Sequence, residues 1–382
     1  VATAAARAWE SFLSEYQLLT GSAAFWARAA SDIEAARERV LVQAMTFEGD
    51  AAGQAVAAAV RGSSALERRI LVDDYTRVVV SDQFVKTPRY LSSRALREEV
   101  RATRAMFRSL KAAGVGVRTT NPIAGRLPRY GVRNHKKLIV ADRVAYVGGV
   151  NFSDHNFAWH DLMLRIEDPT AADFLAADFE ATWESRSAFR KGEFGPLTLY
   201  ALDGRTNREG FADLFAAIAA AKTRIEIVSP YFSFPFLERL GEAAARGVEV
   251  QLIAPLGNNK PMVRHYLFQA APKAGIRLRL SPGMFHLKAM LIDDRLLVLG
   301  SSNFDFPSYY SMEEYLAFLT DPALIAAFRA EVLEPLAAGG VTGDPPRSPW
   351  WHRARSSLVL QMGRGVVSVM GRMPRSAVDW RG

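Results

Sequence analysis

Apolar and polar positions change period along this chain, and the same changes come round twice. The opening residues read as helix, Ala4 to Tyr16 and then Gly21 to Arg37, rich in Ala, Glu and Arg. Val40 to Phe47 is a mostly apolar run of strand length. A helix is expected from about Asp50 to Val60, and Arg69 to Val72 is a second strand. Ala95 to Ala113 returns to helical spacing, Gly114 stops it, and Val115 to Arg118 is a third strand. The second round sets helices at Gly210–Ala221, Leu237–Arg246 and Pro261–Ala274 against strands at Arg224–Val228, Val248–Ala254 and Ile276–Leu280. Strand alternating with helix argues for mostly parallel sheets covered on both faces. The expected architecture is α/β, two copies of one domain joined near residues 190 to 206. The divisions fall at 1–37 (a helical segment), 38–195, 196–338 and 339–382 (a tail).

Each round ends in the same constellation. The first is His135-Lys136-Lys137 with Asp142, then Gly148-Gly149-Val150-Asn151; the second is His286-Leu287-Lys288 with Asp293, then Gly300-Ser301-Ser302-Asn303. Both read His-x-Lys-x4-Asp, a short strand (Val144 to Val147, Leu296 to Leu299), small residues and Asn. In a strand, residues i and i+2 share a face, so His135 stands with Lys137 and His286 with Lys288. Asp142 and Asp293 lie an odd number of residues away, beside a turn, and are assigned to support. The glycines permit a tight bend that returns Asn151 and Asn303 to the site.

Two sets of His, Lys and Asn suit phosphoryl chemistry. Lys and Asn hold the non-bridging oxygens of a phosphate as their charge grows. One His attacks phosphorus while the other protonates the leaving oxygen from the opposite side. Asp161, ten residues after Asn151, and Glu314, eleven after Asn303, sit at near-equal offsets. Each is placed to accept an imidazole Nδ1–H and fix its tautomer, or else is an ordinary strand-end acid. His155 and His160 read as bystanders.

Composition narrows this further. A chain of 382 residues holds two full cores. It has no Cys, which removes disulfides and thiol catalysis, and six scattered His form no ligand cluster, so neither a cofactor nor a metal is expected. Formal charge is +8, which suits an anionic partner, phospholipid or nucleic acid, without choosing between them. No apolar run reaches the roughly 20 residues of a spanning helix. Whether a signal or anchor precedes Val1 stays open. The tail opens with a Pro-rich linker, then interleaves Trp350, Trp351 and several Arg with Leu and Val. It fits either a membrane interface or packing on its own domain, and three glycines weaken any helix there.

The doubled motif resembles that of the phospholipase D superfamily. Arg133-Asn134-His135-Lys136-Lys137, Gly148-Gly149-Val150-Asn151, Trp159-His160-Asp161, Ser229-Pro230-Tyr231-Phe232 and Arg246-Gly247-Val248 resemble bacterial cardiolipin synthases in particular. The likeness covers roughly residues 38 to 335. It implies two pseudo-symmetric α/β/α domains around one site, and transfer of a phosphatidyl group between phospholipids through a phosphohistidine. His135 matches the position given the nucleophile role and His286 the general acid. It departs where Pro307 and Met312 stand in place of the Arg and Asn of the family's Asp-x-Arg-Ser-x3-Asn-x-Glu stretch, which bears on head-group contacts.

The leading expectation is a phosphatidyltransferase acting on anionic phospholipid at a membrane surface, at the cytoplasmic face, with the tail as contact. Tyr309-Tyr310, Phe304 and Phe306 near the second motif support a lipid. The alternatives are a hydrolytic phospholipase D and a phosphodiesterase acting on nucleic acid. The second is disfavoured because no basic–aromatic stripe runs along the chain. A binding module without catalysis ranks last, since both His and both Lys stand.

Overall fold

A computed structural model describes residues 16–85, 87–123, 127–342 and 349–380 of the chain. Two large sheets lie at its centre. The first runs, edge to edge, through Tyr16–Thr20, Leu162–Ile166, Val144–Gly148, Leu138–Ala141, Arg39–Ala44, Glu67–Asp73, Gly116–Thr120 and Ala377–Asp379. The second runs through Arg190–Phe194, Leu197–Asp203, Glu313–Leu319, Leu296–Gly300, Ala289–Ile292, Arg224–Val228, Glu249–Pro255, Arg277–Ser281 and Val341–Thr342. From Tyr16–Thr20 in one and Leu197–Asp203 in the other, the two orders are the same strand for strand.

The strands alternate two buried faces, as a period of two requires. Inward residues such as Leu138, Val140, Val147 and Leu164 meet Leu199, Leu291, Leu299 and Ala317 in one shared core. The helices Pro169–Trp183 and Pro322–Phe328 complete that layer through Leu175, Phe179, Ile325 and Phe328. Outward residues of the first sheet (Val42, Ile70, Ile139, Tyr146) pack under the helices Ser22–Ala35, Ala51–Gly62 and Arg94–Ala112. The second sheet is covered likewise by Ala212–Ala220, Phe236–Ala245 and Pro261–Lys273. Most of the helices and strands read from the sequence stand within a few residues of their expected places.

Three expectations need correcting. The sheets, expected to be mostly parallel, pair mostly antiparallel among the described residues; the parallel pairs are Glu67–Asp73 with Arg39–Ala44 and with Gly116–Thr120, and Glu249–Pro255 with Arg224–Val228 and with Arg277–Ser281. Tyr16, read as the end of a helix, opens a strand that pairs with Leu162–Ile166 (Tyr16 opposite Ile166), and the described part of the expected opening helix begins only at Ser22. The expected helix from Ala4 lies, up to residue 15, outside the described residues. Strand partners far off in sequence override local propensity here. Residues 190 to 206, expected to join the two halves, include an edge hairpin, Arg190–Phe194 against Leu197–Asp203.

The tail, finally, does form a helix, Trp350–Met370. Gly363 and Gly371 let it lie close on the second half. A Cβ on Gly363 would stand 3.2 Å from the Phe306 ring, and one on Gly371 would stand 2.0 Å from the Tyr310 carbonyl oxygen. Leu360 is buried there, and Arg375 donates to the carbonyls of Ser311 (2.8 Å) and Asp203 (3.1 Å). The chain then crosses to the first sheet, where Ala377–Asp379 pairs with Gly116–Thr120 and Trp380 packs on Phe107, ring centroids 4.3 Å apart. The tail therefore straps the two halves together. The Pro-rich linker falls largely on residues 343–348, outside the described ones.

One buried ion pair holds the shared layer in register. Lys136, fully buried, donates to Asp178 of the helix Pro169–Trp183 at 2.6 Å, and Tyr315 of the second sheet donates to the same carboxylate oxygen at 2.6 Å. Removing the carboxylate strands an ammonium in the core. Asp178→Ala is expected to cost about 3–5 kcal/mol of unfolding free energy in urea titrations; a loss under about 1 kcal/mol would mean that the pair does not organise this layer.

Candidate active site

The motif residues gather where the parallel strands end, the usual place for a site on an open α/β sheet. His135 and Lys137 lie just before the strand Leu138–Ala141 rather than within it, and Asn151 follows Val144–Gly148. His286, Lys288 and Asn303 repeat the placement around Ala289–Ile292 and Leu296–Gly300. A cavity of about 390 Å³ opens between the halves, and His135, His286, Asn151 and Asn303 all line it.

Each histidine is held by the other half of the chain. His135 Nδ1 is 3.0 Å from Glu314, and His286 Nδ1 is 2.8 Å from Asp161. Backbone pairing crosses in the same sense. His135 N donates to Glu313 O at 2.8 Å, and His286 N donates to His160 O at 2.8 Å. Each time the residue before the carboxylate grips the main chain while the carboxylate takes the ring. His160, read as a bystander, serves through its carbonyl.

The small residues after each short strand are required by close approach as much as by a bend. A Cβ on Gly149 would lie 2.2 Å from Asp161 Oδ1, and one on Gly148 would lie 2.3 Å from Leu162 O. In the second half, Ser301 stands where Gly149 does. Its hydroxyl donates to Glu314, and Ser308 Oγ adds a bond to the other oxygen at 2.8 Å. Burial works to raise both carboxylates. Lys288 and His286 around Asp161, and His135 and Lys137 around Glu314, outweigh it and hold both below the usual range.

The bases are pulled the other way. Burial first, then Lys288, brings His286 down to about 3. Burial also lowers His135, against the pull of Glu314. Lys137 donates to His135 O at 2.6 Å, and Lys288 donates to His286 O and lies 2.6 Å from His286 Nδ1. Burial lowers Lys137 to about 7 and Lys288 to about 8. Neutral imidazoles with Nδ1–H toward a carboxylate leave each Nε2 lone pair free for chemistry. Asn151 Oδ1 accepts from Thr46 N at 3.3 Å, while Asn303 Oδ1 is buried without a partner.

Asp142 and Asp293 stand away from the cavity, in turns at φ 51°. Asp142 accepts the backbone N–H groups of Arg37, Glu38 and Arg39 at 2.8–2.9 Å, and Asp293 those of Lys222, Thr223 and Arg224 at 2.8–3.0 Å. They tie each motif hairpin to the start of the neighbouring strand.

Sequence reasoning missed several residues. Asp73 buckles the first motif in place, taking the Arg133 guanidinium and Asn134 N (2.7 Å). Its burial, partly offset by Arg133, raises it to about 6. Tyr75, Tyr130, Trp159 and Tyr231 line the cavity, with Trp159 and Tyr231 against the His286 ring at centroid distances of 5.6 and 6.0 Å. Trp159 and Tyr231 fall in stretches quoted for the resemblance, whereas the aromatics singled out near the second motif do not line the cavity. Phe304 and Phe306 are core residues, and Tyr309 packs on Phe211, Phe215 and Phe236. His155 does line it, 3.8 Å from Glu48. Among the described residues the acids Glu48, Asp50 and Glu99 cluster beside it, and burial with Glu99 pushes Glu48 up to about 9. Pro307 and Met312 both face the cavity.

The family described as "Cardiolipin synthase, PLD-like domain" matches residues 30–183 and 214–334, and the chain belongs to it, a phospholipase D-like protein. The minor cardiolipin synthase ClsB of Bacillus subtilis (strain 168) is 29% identical over 254 residues, 60% of this chain and 63% of that one. Cardiolipin synthase A of Yersinia pseudotuberculosis (serotype O:1b, strain IP 31758) is 28% identical over 287 residues, 66% of this chain and 59% of that one. The chain thus spans about three fifths of the length of the curated relatives it matches. The crystal structure of phosphatidylserine synthase from Haemophilus influenzae Rd KW20 shares the fold, with a TM-score of 0.68 at 15% identity over 94% of this chain and 95% of that one.

The lysine values set a test. Near pH 8 the free protein holds Lys137 largely and Lys288 partly neutral. A bound phosphodiester anion favours both ammonium forms and raises both values. Through the two lysines, binding should therefore take up protons at about pH 8, so affinity falls as pH rises through that range. Calorimetry with a dialkyl phosphate, in buffers of different ionisation enthalpy, measures this; proton release at that pH would contradict the assignment.

Proposed function

We propose that this protein is a phosphatidyltransferase of cardiolipin synthase type, moving a phosphatidyl group between phospholipids through a phosphohistidine. The observation that carries the reading is the pair of neutral, oppositely sourced imidazoles facing one cavity, each braced at Nδ1. His135 Nε2 attacks phosphorus as the bond to the leaving glycerol oxygen breaks, and His286 gives that oxygen its proton. The bound phosphate's negative charge lifts His286 from its low value in the free site. In the second half-reaction the acceptor hydroxyl returns a proton to His286, its oxygen bonds to phosphorus, and the His135–phosphorus bond breaks. Lys137, Lys288, Asn151 and Asn303 hold the non-bridging oxygens. Asp161 and Glu314 fix the tautomers, and Asp142 and Asp293 support the hairpins.

Phospholipid as substrate accords with the named relatives, and the surface around the cavity favours work at a membrane. Among the described residues no helix is long and apolar enough to cross one. The helix Trp350–Met370 instead presents Trp351, Leu358, Met362, Val366 and Val369 outward along one face, with Arg355 among them. Val367, beside that stripe, lines the cavity. An apolar stripe with basic residues at a cavity mouth fits the boundary between head groups and acyl chains. The exposed face of Arg94–Ala112 adds Arg94, Arg101, Arg104, Arg108 and Lys111, which attract an anionic surface.

Labelled phosphatidylglycerol vesicles test the reading directly. Cardiolipin and glycerol are the expected products; phosphatidic acid alone would replace transfer with hydrolysis, and cleavage of single-stranded DNA in a parallel assay would overturn the lipid reading. His135→Ala and His286→Ala should each lower turnover roughly a thousandfold or more with circular dichroism unchanged. Met362→Asp with Val366→Asp should keep activity on detergent-dispersed lipid and lose it on vesicles, whereas equal activity on both would remove the tail from the membrane contact.

A further inference from the structure

Transfer between two phospholipids brings two phosphates into one cavity. The reacting one sits among the motif residues. The acceptor's own phosphate keeps its charge throughout, sheds water as it enters, and needs a separate cation.

Among the described residues lining the cavity, the strong bases are Arg133 and Lys260. Arg133 is committed: buried, it pairs with Asp73 and donates to the carbonyls of Asn121 (2.7 Å) and Arg129 (2.8 Å). Lys260 is not. Its side chain is 46% exposed, and its carboxylate neighbour, Asp82, is 3.9 Å away. The backbone that carries it is nonetheless fixed. Asn258 accepts from Lys260 N at 2.7 Å and donates to Pro230 O. The next residue along that turn, Tyr231, packs against the His286 ring, and its hydroxyl donates to Asn259. Lys260 is thus joined to the wall that touches His286 through Tyr231 and Asn259. Asp82, which also accepts from Asn259 Nδ2 at 2.9 Å, comes from the first half, between the strands Val79–Val80 and Gln83–Phe84. Elsewhere on the cavity wall, Pro307 and Met312 offer a phosphate no charge.

We propose that Lys260, set by the Asn258–Asn259 turn, binds the acceptor's phosphate and makes the cavity prefer an anionic phospholipid over a neutral alcohol as acceptor. This rests on the transfer reading above. A partition experiment isolates the acceptor step, because the donor half-reaction is common to both products. The full chain is given labelled phosphatidylglycerol together with 1-butanol, and the ratio of cardiolipin to phosphatidylbutanol is measured. Lys260→Gln should lower that ratio about tenfold, the loss of one charge-assisted contact, while Lys260→Arg keeps it within about twofold of the unaltered chain. An unchanged ratio in Lys260→Gln, or an equal fall in both variants, would overturn the assignment. An unaltered chain that makes neither product would overturn the transfer reading and this inference with it, a result distinct from any change confined to the variants.

Discussion

The Nδ1 atoms of His135 and His286 each face a carboxylate supplied by the opposite half of the chain, Glu314 for one and Asp161 for the other. Everything else about the site depends on that exchange. Two imidazoles sunk in a low-dielectric cavity have many orientations and two tautomers open to them; a buried, ionised acceptor leaves one. Because each acceptor comes from the far half, neither half holds a finished site, and the shared core has to keep the two in register. Lys136, Asp178 and Tyr315 do so from below. The tail does so from the side, pairing with both sheets' edges.

The two halves repeat their scaffold more faithfully than their chemistry. Asp142 and Asp293 make the same three backbone bonds at the same φ, and the strand orders correspond. Around the rings they diverge. Gly149 leaves room for Asp161, where Ser301 reaches out to Glu314. Both lysines donate to the carbonyl of their own histidine, and Lys288 also crowds the ring Nδ1 of His286. A duplicated frame with unequal surroundings accords with the proposed two-step displacement, in which one imidazole bonds phosphorus while the other carries the proton.

Much of the frame was legible in the sequence because it is local. Alternating periods located most strands and helices, and the repeated His-x-Lys spacing and short hairpin marked the site, although His135 and Lys137 lie just before the strand they were read into. What escaped was set by residues distant in sequence. Tyr16–Thr20 is a strand only because Leu162–Ile166 lies beside it. The offsets of Asp161 and Glu314 marked them as partners for imidazoles, but no spacing within one half says that the partner is in the other. Asp73 and the cavity aromatics Tyr75 and Tyr130 carry no periodic signal at all. Phe304, Phe306 and Tyr309 misled for the opposite reason, since clustered aromatics serve a core as readily as a lipid.

Nitrogen-15 NMR of histidine-labelled protein tests the crossed pairing most directly, because it reports protonation at each ring nitrogen. The account predicts that at neutral pH both His135 and His286 are neutral, with the proton on Nδ1 and Nε2 bare. It further predicts that Glu314→Gln disturbs the His135 signals alone and Asp161→Asn those of His286 alone. Imidazolium rings, Nε2–H tautomers, or a variant that disturbs the histidine of its own half would contradict it.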